Sequence, residues 1–106
     1  MATPTSPIFY IPIARKAEKL VLDLSVAHVK TPIAQDATAI HILDKGTGNF
    51  TLTFHFADGT EFTLDQSEVN NGDSYYWSIT KLYLTNEAQS GLSVTLLIEY
   101  HALLQT

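Results

Sequence analysis

The chain has 106 residues, enough for one domain of ordinary size and too few for two. Its 45% hydrophobic and 16% charged residues are the composition of a folded domain rather than a disordered tail, and the lack of cysteine excludes disulfides, thiolate metal sites and a cysteine nucleophile. The net charge of -5 is unevenly spread: residues 1 to 30 hold Arg15, Lys16, Lys19 and Lys30 against Glu18 and Asp23, which leaves the rest of the chain acidic and argues against nucleic-acid binding.

At the N-terminus, Met1 to Pro7 has neither the basic start nor the apolar core of a secretory signal, so export by that route is not expected. Ile8-Phe9-Tyr10-Ile11-Pro12-Ile13 is an apolar run broken by proline, which cannot donate to a sheet ladder, and it reads as an extended arm or edge segment. Its large apolar groups need a surface to dock on, in the same chain or a neighbour. Residues 14 to 19 have helical propensity but number too few for more than one turn. The arm is drawn as residues 1–17 and the folded domain as residues 18–106.

Leu20, Leu22, Leu24 and Val26 alternate with Asp23 and Ser25, which is the period of a half-buried strand. Thr31-Pro32 and Gln35-Asp36 mark a loop, and Ala39 to Leu43 forms the next strand. Lys45 to Asn49 supplies turn residues. Phe50, Leu52, Phe54 and Phe56 then alternate with Thr51, Thr53 and His55 in the clearest strand of the chain. Asp58-Gly59 predicts a type I′ hairpin leading into Glu61 to Leu64, because both central residues of that turn take positive φ. After Asn70-Asn71-Gly72-Asp73, one long strand is expected from Tyr75 to Thr85. Asn86 to Gly91 is a connecting turn, and Leu92 to Tyr100 is the final strand. Six or seven strands without a convincing helix predict an all-β protein, a single antiparallel β-sandwich with a jelly-roll-like arrangement and an extended N-terminal arm. Asp23, Lys81 and Glu99 interrupt the longest apolar runs, so no membrane span is expected.

Little in the chain points to chemistry. His28, His41, His55 and His101 lack the short spacings of zinc motifs and read as surface or inter-strand histidines. The carboxylate pairs Asp58 with Glu61 and Asp65 with Glu68 sit beside turns, where solvated surface explains them. Gly46-Thr47-Gly48 lacks the lysine of a phosphate loop. No nucleophile elbow or calcium loop is present, so no enzyme activity and no cofactor are expected. Tyr75-Tyr76-Trp77 has two readings: a contact surface, or rings that cap the core with their polar ends in water.

Leu22-Asp23-Leu24-Ser25-Val26-Ala27, Thr31-Pro32-Ile33, and Ile79 to Asn86 with Ala88-Gln89-Ser90-Gly91 and a final apolar strand resemble a diffuse group of small tailed-phage virion proteins, over roughly residues 20 to 100. The resemblance implies a β-sandwich carried on the phage particle as capsid cement, decoration or a tail-associated subunit. On that basis the expected role is a capsid cement protein that stabilises the shell as a homo-oligomer, a trimer favoured. Its partners would be the major capsid protein and itself, and its location the virion. The interface candidates are Ile8, Phe9, Tyr10, Ile11, Ile13, Arg15, Lys16, Tyr75, Tyr76 and Trp77. The alternative is a tail-associated module that binds a carbohydrate or receptor through Tyr75, Tyr76 and Trp77.

Overall fold

The computed structural model describes residues 13–103, and their side chains over residues 16–100. The expected arm residues Ile8, Phe9, Tyr10 and Ile11 lie outside the described residues. Within them the chain is all-β, with seven strands in one antiparallel sheet. The strands are β1 (Ile13–Asp23), β2 (His28–Asp44), β3 (Thr51–Phe56), β4 (Glu61–Asp65), β5 (Ser74–Tyr75), β6 (Ile79–Asn86) and β7 (Ser93–Leu103). A single turn of 3-10 helix, Gln66–Glu68, follows β4. The order across the sheet is β1-β7-β2-β6-β3-β4, and β5 lies beside β2. Among the described residues hydrogen bonds do not close the sheet into a barrel: β1 and β4 are the edge strands at its two ends, and β5 pairs with β2 alone.

β1 begins at Ile13, so residues 14 to 19, for all their helical propensity, are extended and paired along their length with β7, in a ladder from Ile13 opposite Leu103 to Asp23 opposite Ser93. Tyr100 is the last β7 residue paired with β2, so the first residues of β1 and the last of β7 form a two-stranded ribbon. The strand ends at Asp23, before the expected Leu24 and Val26. The Asp23 carboxylate accepts hydrogen bonds from the Ser25 amide at 2.9 Å and hydroxyl at 2.6 Å, which turns the chain. Leu24, within the turn, stays buried, while Val26 is 57% exposed.

The predicted loop at residues 31 to 36 is instead part of β2, a strand of 17 residues. Its first half pairs with β6 and its second half with β7, and Ala37, opposite both Ile79 and Tyr100, is the crossover. Register shifts flank Pro32, and Lys30 and Asp36 have φ of 46° and 53°. Bulges let these loop-like residues stay in the ladder, since an extra residue absorbs a missing donor or a positive φ.

Asp58-Gly59 does make the hairpin between β3 and β4, but not as a type I′ turn. Gly59 has φ 89° while Asp58 is not among the positive-φ residues, and the Gly59 amide donates to the Phe56 carbonyl at 3.0 Å. This is the three-residue loop in which a left-handed glycine follows the turn. The expected long strand from Tyr75 is divided into β5 and β6, with Tyr76 to Ser78 leaving the ladder.

No described helix covers the sheet, yet Leu24, Ile40, Phe54, Leu82, Leu96 and Ile98 have no solvent exposure. Segments between the strands supply part of the cover, with Phe50, Val69 and Trp77 packed on the same core. Phe54 of β3 lies 6.0 Å from the Tyr75 ring of β5. Burying each such side chain stabilises the fold by roughly 1.5–3 kcal/mol.

Candidate interaction face

Side chains opposite one another in an antiparallel ladder share a face, so the register shows what the sheet presents outward. Lys19, Leu97, His41 and Ser74 form one row across β1, β7, β2 and β5. Ala17, Glu99 and Ala39 form the next row, and Tyr76 belongs with it by its two-residue offset from Ser74. Val21 opposite Thr95 continues the face in the other direction. The outward side of an antiparallel sheet is ordinarily polar. Here Val21 is 64% exposed, Leu43 44% and Tyr76 67%.

A hydrogen-bonded array runs through the middle of this face. His41 Nε2 lies 2.5 Å from a Glu99 carboxylate oxygen, and His41 Nδ1 lies 2.7 Å from the Ser74 hydroxyl oxygen. With Nε2–H donating to the carboxylate, Nδ1 accepts from Ser74. The Tyr76 ring meets the imidazole edge-on at 5.7 Å, and the Thr38 hydroxyl donates to the Glu99 carbonyl. Hydroxyl, imidazole and carboxylate in a line are the elements of an activated nucleophile. Catalysis further requires a substrate hollow with converging donors. His41, Ser74 and Glu99 line neither of the two hollows described below, so the array's evident effect is to tie β5 to β2 and β7 and hold Tyr76 in place.

The three aromatic residues grouped in the sequence are separated by the fold. Tyr75 and Trp77 point inward and are half-buried. Trp77 packs against Phe54, Phe56, Phe62 and Tyr75 with ring centroids 5.2 to 5.9 Å apart. The Tyr75 hydroxyl donates to Asp73 at 3.1 Å; burial first, and then this bond, push its pKa up to about 12. These two rings take the core-capping role, and Tyr76 alone of the three faces solvent. Ile13 and Arg15 occupy register positions opposite Leu103 and His101 in β1, and Lys16 is exposed opposite Tyr100.

The histidines with described side chains bridge strands. His28 Nδ1 lies 2.6 Å from the Asn86 side-chain oxygen, and His55 Nδ1 lies 3.1 Å from Glu61. Lys30 is 2.9 Å from the same Glu61 oxygen, and Lys30 first and His55 second hold that carboxyl below its ordinary range. Among the described residues no group of three or more His, Cys, Asp or Glu side chains is placed to hold a metal ion.

Sequence reasoning missed two anchors, one at the last residue of β6 and one in the turn that follows. The buried Asn86 amide reaches the carbonyls of Leu24, Val26 and Glu87, at 2.8 to 3.2 Å. Gln89 accepts from the Asn49 amide and donates to the Asn49 carbonyl, both at 2.7 Å. Together they organise a hollow of about 680 Å³ lined in part by His28, Val29, Asn49, Asp65 and Glu87. A second hollow, of about 500 Å³, lies beside Pro32, Ile33, Lys81 and Tyr100. No described buried side-chain nitrogen or oxygen lacks a hydrogen-bond partner. No described helix is long and apolar enough to cross a membrane. No protein-family model matches the chain, no curated protein matches it, and no solved structure does.

Proposed function

We propose that the protein is a non-enzymatic structural subunit of a tailed-phage virion, a capsid cement or decoration protein that acts as a homo-oligomer, a trimer favoured, with the major capsid protein as partner. The observation that carries the reading is the outward sheet face, where Val21, Leu43 and Tyr76 are exposed around a hydrogen-bonded centre. Exposed apolar groups on a face ordered by its own polar network suit protein contact, with tyrosine the typical anchor. The sequence resemblance to small virion proteins supplies the particle. The finer fold belongs to the same proposal: β1–β7, β2–β6 and β3–β4 are nested pairs, as in a long hairpin folded over, and support a jelly-roll-like sandwich.

The test is addition of the purified protein to capsids that lack it, with bound copies counted against the shell protein. Tyr76→Glu with Val21→Glu should reduce occupancy at limiting concentration by about tenfold, the effect of losing one strong anchor, and leave thermal unfolding near that of the parent. Unchanged occupancy would refute the assignment of this face. Glycan binding abolished by Tyr76→Ala, without capsid binding, would favour the tail-associated module.

A further inference from the structure

The two edges of the sheet carry opposite charge. β1 has Arg15, Lys16 and Lys19 against Glu18 over residues 13 to 19, and the exposed Lys16 and Lys19 make no ion pair among the described residues. The segment that contains β4, Asp58 to Glu68, has four carboxylates and no Lys or Arg of its own; Glu61 is shared with Lys30 and His55, which leaves the edge acidic through Asp58, Asp65 and Glu68. Among the described residues both strands are hydrogen-bonded on one side only. An unpaired edge is a template for another strand, and charge is a usual defence against such pairing.

We propose that β1 of one copy adds to β4 of the next, head to tail, so that the partner of each edge is a second copy of this chain. The proposal rests on the self-association in the function proposed above and names the surfaces that achieve it. Charge decides between the available pairings. Centred on Ala17, β1 against a second β1 sets position 15 opposite Lys19, two cations. Centred on Thr63, β4 against a second β4 sets Glu61 opposite Asp65, two carboxylates. β1 against β4, antiparallel like every other pair in this sheet, sets Arg15 opposite Asp65, Ala17 opposite Thr63 and Lys19 opposite Glu61.

The outward positions coincide in this register, and on the other side Lys16 and Glu18 fall opposite Leu64 and Phe62 at the rim of the core. Ala17 and Lys19 belong to the outward rows, and Glu61, Thr63 and Asp65 alternate with Phe62 and Leu64, which sit opposite the buried Phe54 and Leu52. Phe62 is 46% exposed at the open rim of the core, and an added strand would cover it. Like edges repel and unlike edges attract, so the contact is heterologous. Such a contact either closes into a ring or propagates as a filament. The favoured trimer is one such ring.

The absence of cysteine makes the register directly testable in the full-length chain. Ala17→Cys with Thr63→Cys in one polypeptide should give disulfide-linked oligomers on mild oxidation, because the paired positions meet within disulfide range. Each single-cysteine variant should give none in that register. A monomeric product, free or internally linked, overturns the proposal, as does efficient dimerisation of either single variant. Arg15→Asp alone and Asp65→Arg alone should each weaken assembly by about tenfold in light scattering, and the two combined should restore it. Failure of the combined variant to recover, or oligomers indifferent to both changes and to salt, overturns it as well. Capsid binding is scored separately. Rings that form as described but do not bind capsids refute the cement role alone, whereas capsid binding by a chain that never forms these links refutes the edge pairing alone.

Discussion

Replacing Trp77 by alanine separates the two readings of the aromatic cluster. If Trp77 caps the core, the change removes the buried part of the indole and its ring contacts with Phe54, Phe56, Phe62 and Tyr75. For a half-buried ring the lost transfer free energy is about 1.5–2 kcal/mol. The four contacts, geometrically dependent on one another and so taken at the low end of their range, add about 2 kcal/mol. The sum of about 3.5–4 kcal/mol falls within the usual cost of truncating a core aromatic. In a domain of this size it corresponds to a fall in melting temperature of about 15–25 °C. Urea unfolding followed by far-ultraviolet circular dichroism is the appropriate assay, because Trp77 is the only tryptophan and the variant loses its fluorescence. Trp77→Phe should recover much of the loss. Destabilisation below about 1 kcal/mol would refute the packing argument and return Trp77 to the surface.

Asn86→Ala removes a side chain that bonds three backbone carbonyls and His28, and should cost about 1–2 kcal/mol in chemical denaturation: the Leu24 and Glu87 carbonyls keep donors from Gln89, while the Val26 carbonyl and His28 lose theirs. Gly46 has φ 61°, and a Cβ there would lie 2.5 Å from the Ser93 carbonyl oxygen, so Gly46→Ala should destabilise by about 2 kcal/mol or more. Gly59→Ala is the control, with φ 89° but open space around the added carbon, and should cost about 1 kcal/mol by the same melts. The Tyr75 and Tyr100 phenols are pushed up from 10.0 to about 12, by burial first and then by hydrogen bonds to Asp73 and Glu18. Each holds its proton more tightly folded than unfolded, so its contribution is complete below pH 10 and is lost as the pH rises through about 12. Thermal melts between those limits should show stability falling, and Tyr75→Phe with Tyr100→Phe should flatten the fall.

What was legible in the sequence followed burial more closely than strand pairing. Leu52 and Phe54 alternate with Thr51, Thr53 and His55 because one side of β3 faces the core, and that period located the strand. The first residues of β1 have no such pattern. Lys16 to Lys19 are all exposed although fully paired, and charged residues on an edge ribbon read as a helical turn. The start of β2 was concealed by Pro32, Gln35 and Asp36, whose loop chemistry is absorbed by bulges that only the partner strands reveal. In the candidate site, the separation of Tyr76 from Tyr75 and Trp77 follows from alternation along an extended chain and was available in principle. His41, Ser74 and Glu99 come from three distant segments, and no local spacing could have joined them.

An open antiparallel sheet of this size has two edges and an outward face to manage. A single defensive charge on both edges would keep copies apart. This chain places cations on β1 and carboxylates on and around β4, which opposes each like pairing and leaves the unlike one favourable. The outward face of Val21, Leu43 and Tyr76 points normal to the ladder, in a direction different from that in which a strand adds. Under the proposed function the edges and the face can therefore be occupied together, copies joining through β1 and β4 while Tyr76 meets the shell. Contacts that are modest singly become strong when the subunits that bear them are linked, because release then requires several to open at once. A variant impaired only at the edges should then still bind the shell, but with a faster off-rate and a steeper dependence on concentration than the parent.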